Sequence, residues 1–353
     1  MKIALLNLPV DNNFGGNLQR YALVKVLQDM GHSITHLNLR FNYRLPWYNR
    51  PVYYAKRMLK KILLQRDINI FETPQSQYEQ QCAITDSFYN KYVFHTEIIT
   101  DMTSLSKHID YDAFIVGSDQ VWRKKIASKY LPYFFFDHLQ EIDKPKIACS
   151  VSFGTDTIEL KKNEIAYYGK LYKLFTAVSV REKSGLSILK QMGWNNPKAI
   201  HLLDPTFMLS KSDYQDIIRA SETERARGNL FCYILDMTKE KRNVIETISN
   251  EKKYTPFYIT LNDNASIAQW LRSFDDAKFI ITDSFHGLVF AIIFNKPFKL
   301  IKNEFRGNAR FDSIIETFNL KDNEDIDWSK INHMINEFKT KFTHFFNDVL
   351  NQG

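Results

Sequence analysis

The chain has 353 residues, of which 44% are hydrophobic and 25% charged, with 47 basic against 40 acidic side chains for a formal net charge of +7. That is the balance of a soluble globular protein, and the length suffices for two domains of ordinary size, each with its own core. Its apolar runs are short, well below the roughly 20 residues needed to span a bilayer, which excludes a transmembrane protein of helical type.

The first unit is a strand over Ile3 to Leu8, a polar turn from Pro9 to Gly16, a helix over Asn17 to Met30 closed by Gly31, and a strand over Ser33 to Leu39. This predicts a β-α-β unit with a right-handed crossover and hence a parallel sheet. With one Lys and no small-residue cleavage site behind it, the N-terminus reads as a first strand and not a signal peptide. Cys82, Cys149 and Cys232 lie far apart without metal-ligand spacing. Cys149 and Cys232 sit inside apolar strand-like runs, where reduced, buried thiols are expected, and with them a cytoplasmic location.

From Arg40 to Arg66 the chain carries eight basic residues (Arg40, Arg44, Arg50, Lys56, Arg57, Lys60, Lys61, Arg66) and no acid. Phe41, Tyr43, Trp47, Tyr48, Tyr53 and Tyr54 are interleaved. The segment is a solvated helical face, a patch for an anionic membrane or lipid-linked substrate, or a nucleic-acid surface. The last is disfavoured, because no nucleic-acid-binding motif accompanies it.

Helical patterning follows around Tyr78 to Tyr92, then strands over Tyr111 to Val116 and Lys146 to Val151, and a helix over Ile158 to Leu174. Next come the strand Ala177–Val180, a helix closed by Gly193, and the strand Ala199–Leu203 stopped by Asp204-Pro205. A second series alternates in the same way: strand Leu230–Leu235, helix Lys239–Asn250, strand Phe257–Leu261, helix Ser266–Phe274, strand Lys278–Thr282, helix His286–Phe294, strand Phe298–Ile301 and helix Asp312–Phe318. The last segment sets Ile331, Met334, Ile335, Phe338, Phe342, Phe345 and Phe346 on one helical face. The alternation predicts an α/β fold of two Rossmann-like domains with mostly parallel sheets and a cleft between them. We place an N-terminal domain at 1–205, a C-terminal domain at 206–328 and a terminal amphipathic helix at 329–353.

In such sheets ligands bind at the carboxyl ends of the strands, and polar clusters stand there. Asn13, Gly15, Gly16 and Asn17 follow the first strand and open a helix, where free amides suit an anion or an oxygen-rich group, or where a tight turn simply needs glycine. The cluster is neither a dinucleotide fingerprint nor a Walker loop. Gly117-Ser118-Asp119, Ser152-Phe153-Gly154, Arg181-Glu182 and Asp204 take equivalent places. Arg181, after a buried strand, needs a carboxylate or phosphate partner, from ligand or from Glu182. Thr282-Asp283-Ser284-Phe285-His286-Gly287 ends another buried strand. His286 there is an acid–base residue beside an anion site, or a histidine that caps a buried helix. Ser284 and Asp283 equally suit helix capping.

Five of these segments together resemble the polysaccharide pyruvyl transferase family: Asn13 to Leu23, Tyr111 to Trp122, Val178 to Gly185, Leu203 to Thr206, and Asp283 to Gly287. They run in family order over residues 1 to about 320. The resemblance implies a glycosyltransferase-B-like fold and transfer of a pyruvyl group from phosphoenolpyruvate to a sugar, giving a ketal and phosphate. It implies His286 as the catalytic residue and a donor site of Arg181, Ser284 and Gly287. Family members carry Arg-x-His where this chain has Ser284-Phe285-His286, so Arg310 or Arg306 is expected to supply the missing charge. Acceptor contacts are expected at Asn13, Gly15, Gly16, Asn17 and Asp119. No cofactor, metal or nucleic acid is expected; the acceptor is a glycan or lipid-linked glycan, with peripheral contact to an anionic membrane. A nucleotide-sugar glycosyltransferase of the same fold and a non-catalytic scaffold of polysaccharide assembly are the alternatives.

Overall fold

A computed structural model describes residues 1–64, 69–260, 263–301, 309–320 and 326–350. Six strands build the first sheet: β1 (Lys2–Leu6), β2 (Ser33–His36), β3 (Ala113–Val116), β4 (Lys146–Val151), β5 (Ala177–Val180) and β6 (Ile200–His201), in the order β2-β1-β3-β4-β5-β6. Four build the second: β7 (Leu230–Tyr233), β8 (Pro256–Tyr258), β9 (Phe279–Thr282) and β10 (Phe298–Leu300), in the order β10-β9-β7-β8. Every strand pair among the described residues is parallel. The strands β3, β4, β7 and β9 are buried on both faces and largely apolar, as helix-covered parallel strands must be. The expected strand end at Leu261 lies outside the described residues.

Helix α1 (Phe14–Asp29) starts three residues earlier than the sequence suggested. Asn13 is its N-cap, and its side chain accepts from the Gly16 amide at 3.1 Å. The Gly15-Gly16 pair therefore lies inside the first turn and not in the loop. Two further helices follow β2: α2 (Arg50–Leu64) and α3 (Pro74–Tyr92), the latter opened by a Thr73/Ser76 capping box. The basic segment is thus largely α2, but its charges are not equivalent. Arg40 is buried and ion-paired with Asp86 at 2.7 Å, and Arg57 pairs with Glu72 at 3.0 Å. The missing acids come from α3 and the loop before it. Arg66 lies outside the described residues.

One apolar cluster runs through both sheets, taking in Ile3, Leu18 and Ile147 with Phe231, Ile280 and Val289. The short turn Pro205–Met208 joins the halves and packs against both α1 and the terminal helix Trp328–Leu350. That helix buries Ile331, Ile335, Phe342 and Phe346, and Lys341 donates to the His201 carbonyl at 3.0 Å. Among the described residues no helix is long and apolar enough to cross a membrane.

The first sheet also fixes a histidine in its neutral form. His36 Nε2 accepts from Arg20 Nε at 3.0 Å, so its proton sits on Nδ1, 2.7 Å from the Tyr89 hydroxyl. Burial, and then the Arg20 charge, hold its pKa well below the usual value. Burial likewise lowers His138 and His201 to about 4. Each folded-state pKa lies below the unfolded one. The stability these rings carry is therefore complete above about pH 6.5 and is lost as pH falls towards 4, at up to about 1.4 kcal/mol per pH unit per ring. We predict a melting temperature that declines steadily over this window. His36→Gln should melt lower at neutral pH yet decline less steeply, and an unchanged slope would remove His36 from this account.

Candidate active site

The cleft opens at the carboxyl ends of β1 and β9, as the strand-end pattern required. It measures about 430 Å³ and is lined by Asp11, Asn12 and Asn13 from the first half and by Ser284, Phe285, His286 and Arg310 from the second. Gln120 and Arg123 close one side, Tyr233, Leu235 and Asp283 another.

The β9 turn is built by its own residues. The Thr282 hydroxyl donates to the Tyr233 carbonyl at 2.8 Å and accepts from the Ser284 amide at 3.1 Å. Ser284 caps the helix Phe285–Ile293 and accepts from the Gly287 amide at 3.4 Å. A side chain at Gly287 would collide with Thr282, so glycine lets the helix start close over the strand end. Ser284 and Gly287 thus do capping work, and Ser284 also lines the cleft. Asp283 is wholly buried, accepts from the Leu235 amide at 2.7 Å and pairs with Lys241 at 2.6 Å. Its work is to fasten the loop after β7.

His286 is buried at the cleft wall, with Nε2 3.6 Å from Asp204 Oδ2. That nitrogen has no hydrogen-bond partner among the described residues. The backbone of Gly15 lies directly against the imidazole, where any Cβ would overlap the ring. Glycine in a helix costs about 1 kcal/mol against alanine. Here it lets the start of α1 abut the histidine. Asn17, in contrast, is occupied by the protein: it donates to the Asp11 and Asn13 carbonyls and accepts from Arg20.

Arg181 is almost wholly buried, with Nε 2.9 Å from Glu182 and Nη1 3.0 Å from Asp204. Nη2 stands 3.6 Å from Asp119, whose carboxylate also accepts from the Gln120 amide. Burial opposes the charge, but Glu182, Asp119 and Asp204 outweigh it and fix the guanidinium in the charged form. The protein partner is present; Nη2, which makes no hydrogen bond among the described residues, is itself buried, and Arg181 stands behind the residues that line the cleft. Asp204 answers in kind. Burial disfavours its charge, but His286, Arg181 and the Thr206 amide hold its carboxyl well below the usual range. Gln19 Nε2 adds a contact at 2.6 Å.

Arg310 reaches the cleft from the helix Ala309–Phe318. Its guanidinium and that of Arg181 both face the Phe285 ring, at 5.2 and 4.6 Å from the centroid. Burial first, and Arg181 second, lower the Arg310 pKa to about 10. Arg306 lies outside the described residues. Sequence reasoning passed over Asp11, which lines the same cleft. Burial raises its carboxyl pKa, against the Asn13 amide and Arg20, which lower it. Its position one residue before the Asn12-Asn13 cluster was the available signal. Among the described residues no three His, Cys, Asp or Glu side chains are placed to hold a metal ion.

This arrangement can hold an anion at Arg310, with the Arg181 charge behind Phe285, and offers His286 and Asp11 for proton transfer. Among solved structures the chain is similar to S. aureus MnaA in complex with UDP, with a TM-score of 0.50 and 11% identity over 99% of this chain and 97% of that one. It is also similar to a UDP-GlcNAc 2-epimerase from Neisseria meningitidis bound to UDP-GlcNAc, at TM-score 0.49 and 9% identity over 98% and 93% of the chains. A glycosyltransferase from Rickettsia africae follows at TM-score 0.48 and 11% identity, over 100% and 99%. At these identities the likeness is one of fold, glycosyltransferase-B-like. No curated protein sequence matches the chain. The profile of the polysaccharide pyruvyl transferase family, however, matches residues 13–304, a span that contains Asn13, Gly15, Arg181, Asp204 and His286, and the chain belongs to that family.

Proposed function

We propose that this protein transfers the pyruvyl group of phosphoenolpyruvate to a sugar of a surface-polysaccharide precursor, forming a ketal and releasing phosphate. The observation that carries this reading is the pair of buried guanidinium groups, Arg181 and Arg310, sharing the Phe285 ring beside His286. Two like charges in a poorly solvated place gain most from a ligand with anionic groups at both ends. Phosphoenolpyruvate carries a carboxylate and a phosphate, and Arg310 supplies the charge that Ser284 does not.

The donor's methylene carbon must gain a proton, and the sugar hydroxyls must lose theirs. His286 delivers the proton to the methylene carbon while the first hydroxyl adds to the adjacent carbon, and Asp11 takes the hydroxyl proton. The bond to phosphate then breaks, and the second hydroxyl closes the ketal. Of the two hydroxyl protons, one ends on the new methyl group and one on the departing phosphate, so neither a redox partner nor a metal is required. The competing donor is a nucleotide sugar, as MnaA was solved with UDP.

His286→Ala should lower phosphate release from phosphoenolpyruvate by roughly 100-fold or more, with His286→Gln as a volume-preserving check. Near-normal turnover in both variants would take the catalytic role from His286. Arg310→Ala should weaken phosphoenolpyruvate binding by about tenfold or more. Arg181→Ala should in addition cost about 3 kcal/mol of stability, because Asp204 and Glu182 lose their buried counter-charge. Calorimetry with phosphoenolpyruvate and with UDP-sugars, in excess chelator, separates the donors. Tight binding of a UDP-sugar alone, or a strict Mg²⁺ requirement, would overturn the pyruvyl reading.

A further inference from the structure

The helix α2 is mounted with its faces reversed. At 100° per residue, Val52, Ala55, Met58, Leu59, Ile62 and Leu63 fall within an arc of about 140°. The opposite arc holds Tyr53, Tyr54, Arg57 and Lys61. In an ordinary surface helix the apolar arc would face the core. Here the polar arc is the half-buried one. Arg57 is tied to the Asn69 carbonyl and Glu72, and Tyr54 packs on Phe71. The apolar arc faces solvent: Val52 is 57%, Leu59 58%, Ile62 62% and Leu63 77% exposed. Trp47, three residues before the helix, and Phe71, against Tyr54, are 79% and 78% exposed. Lys56 and Lys60, both exposed, run along its rim.

We infer that α2 is a membrane-docking element that lies flat on an anionic lipid surface, with its apolar arc among the acyl chains and Lys56 and Lys60 at the headgroups. Charge decides the occupant. A second copy would bring two cationic rims together around one apolar seam, whereas an anionic headgroup layer complements the rim along its whole length. Trp47, exposed just before α2, is the residue type that prefers the boundary between apolar and wet surroundings. The placement also suits the cleft. The segment carrying α2 follows the carboxyl end of β2, the sheet edge where Asp11 to Asn13 line the cleft. The Tyr78 hydroxyl links the two by accepting from the Phe41 amide and donating to the Val10 carbonyl.

The test uses the full chain and sedimentation with vesicles of phosphatidylcholine alone or with roughly one quarter phosphatidylglycerol, at low and high salt. No substrate is present, so the outcome is independent of the reaction assigned above. We expect binding to the anionic vesicles only, weakening as salt rises, with a blue shift in emission that Trp47→Phe removes. Leu59→Glu with Ile62→Glu should lower binding at least tenfold, and Lys56→Gln with Lys60→Gln should lower it and flatten its salt dependence. Because these side chains are exposed, melting temperature and phosphate release with a soluble glycoside should stay at the wild-type level. Absence of anionic-vesicle binding, or binding that the Leu59/Ile62 variant retains, overturns the inference. So does a wild-type dimer that this variant splits without any vesicle binding, which would assign the arc to a second copy.

Discussion

The Asp204 carboxylate is the point on which the site depends. One oxygen caps the turn that joins the two halves, through the Thr206 amide at 3.0 Å. The other meets Gln19 from α1, Arg181 from the end of β5, and the edge of His286 from the second sheet. A fully buried carboxylate is unfavourable by several kcal/mol unless its charge is answered, and here four separate segments answer it. The need to satisfy one charge thereby brings residues far apart in sequence to one place.

The cleft inherits its character from that arrangement. Arg181 balances three carboxylates and is held rigidly, whereas Arg310 stands in its field with a weakened hold on its proton. One guanidinium organises the protein and the other lines the cleft. A Lys could not take the first role, since Arg181 uses two directions of its fork at once on Glu182 and Asp204. Asp11 across the cleft holds its proton more firmly than an exposed carboxyl would, which brings it closer to the range in which acid–base exchange is efficient.

Much of this was legible in the sequence because buried parallel strands leave a strong trace. Ala113–Val116 and Phe279–Thr282 are wholly apolar or nearly so, and each ends in polar residues that the fold sets at the cleft edge. What was not legible depended on partners distant in the chain. Gly15-Gly16 resembles a turn until the His286 ring is seen against it. Arg40 looks like one charge in a basic run, yet Asp86, 46 residues on, draws it inside. Nothing in α2 itself told which arc would face the protein, since that was decided by Asn69 and Glu72, just ahead of α3. Asp11 carried no motif beyond its place next to Asn12-Asn13, and its enclosure in the cleft is what marks it.

The helix Phe285–Ile293 has all nine residues buried, and its cap is locked by Ser284. Helix ends ordinarily fray, opening and closing far more often than the molecule unfolds. This one has no exposed turn from which fraying could begin, and His286 is its second residue. Its amides should exchange with solvent only through near-global opening, while those of the outward-facing α2 exchange through local excursions. The position of His286 is thus as durable as the fold itself, whereas α2 belongs to the periphery.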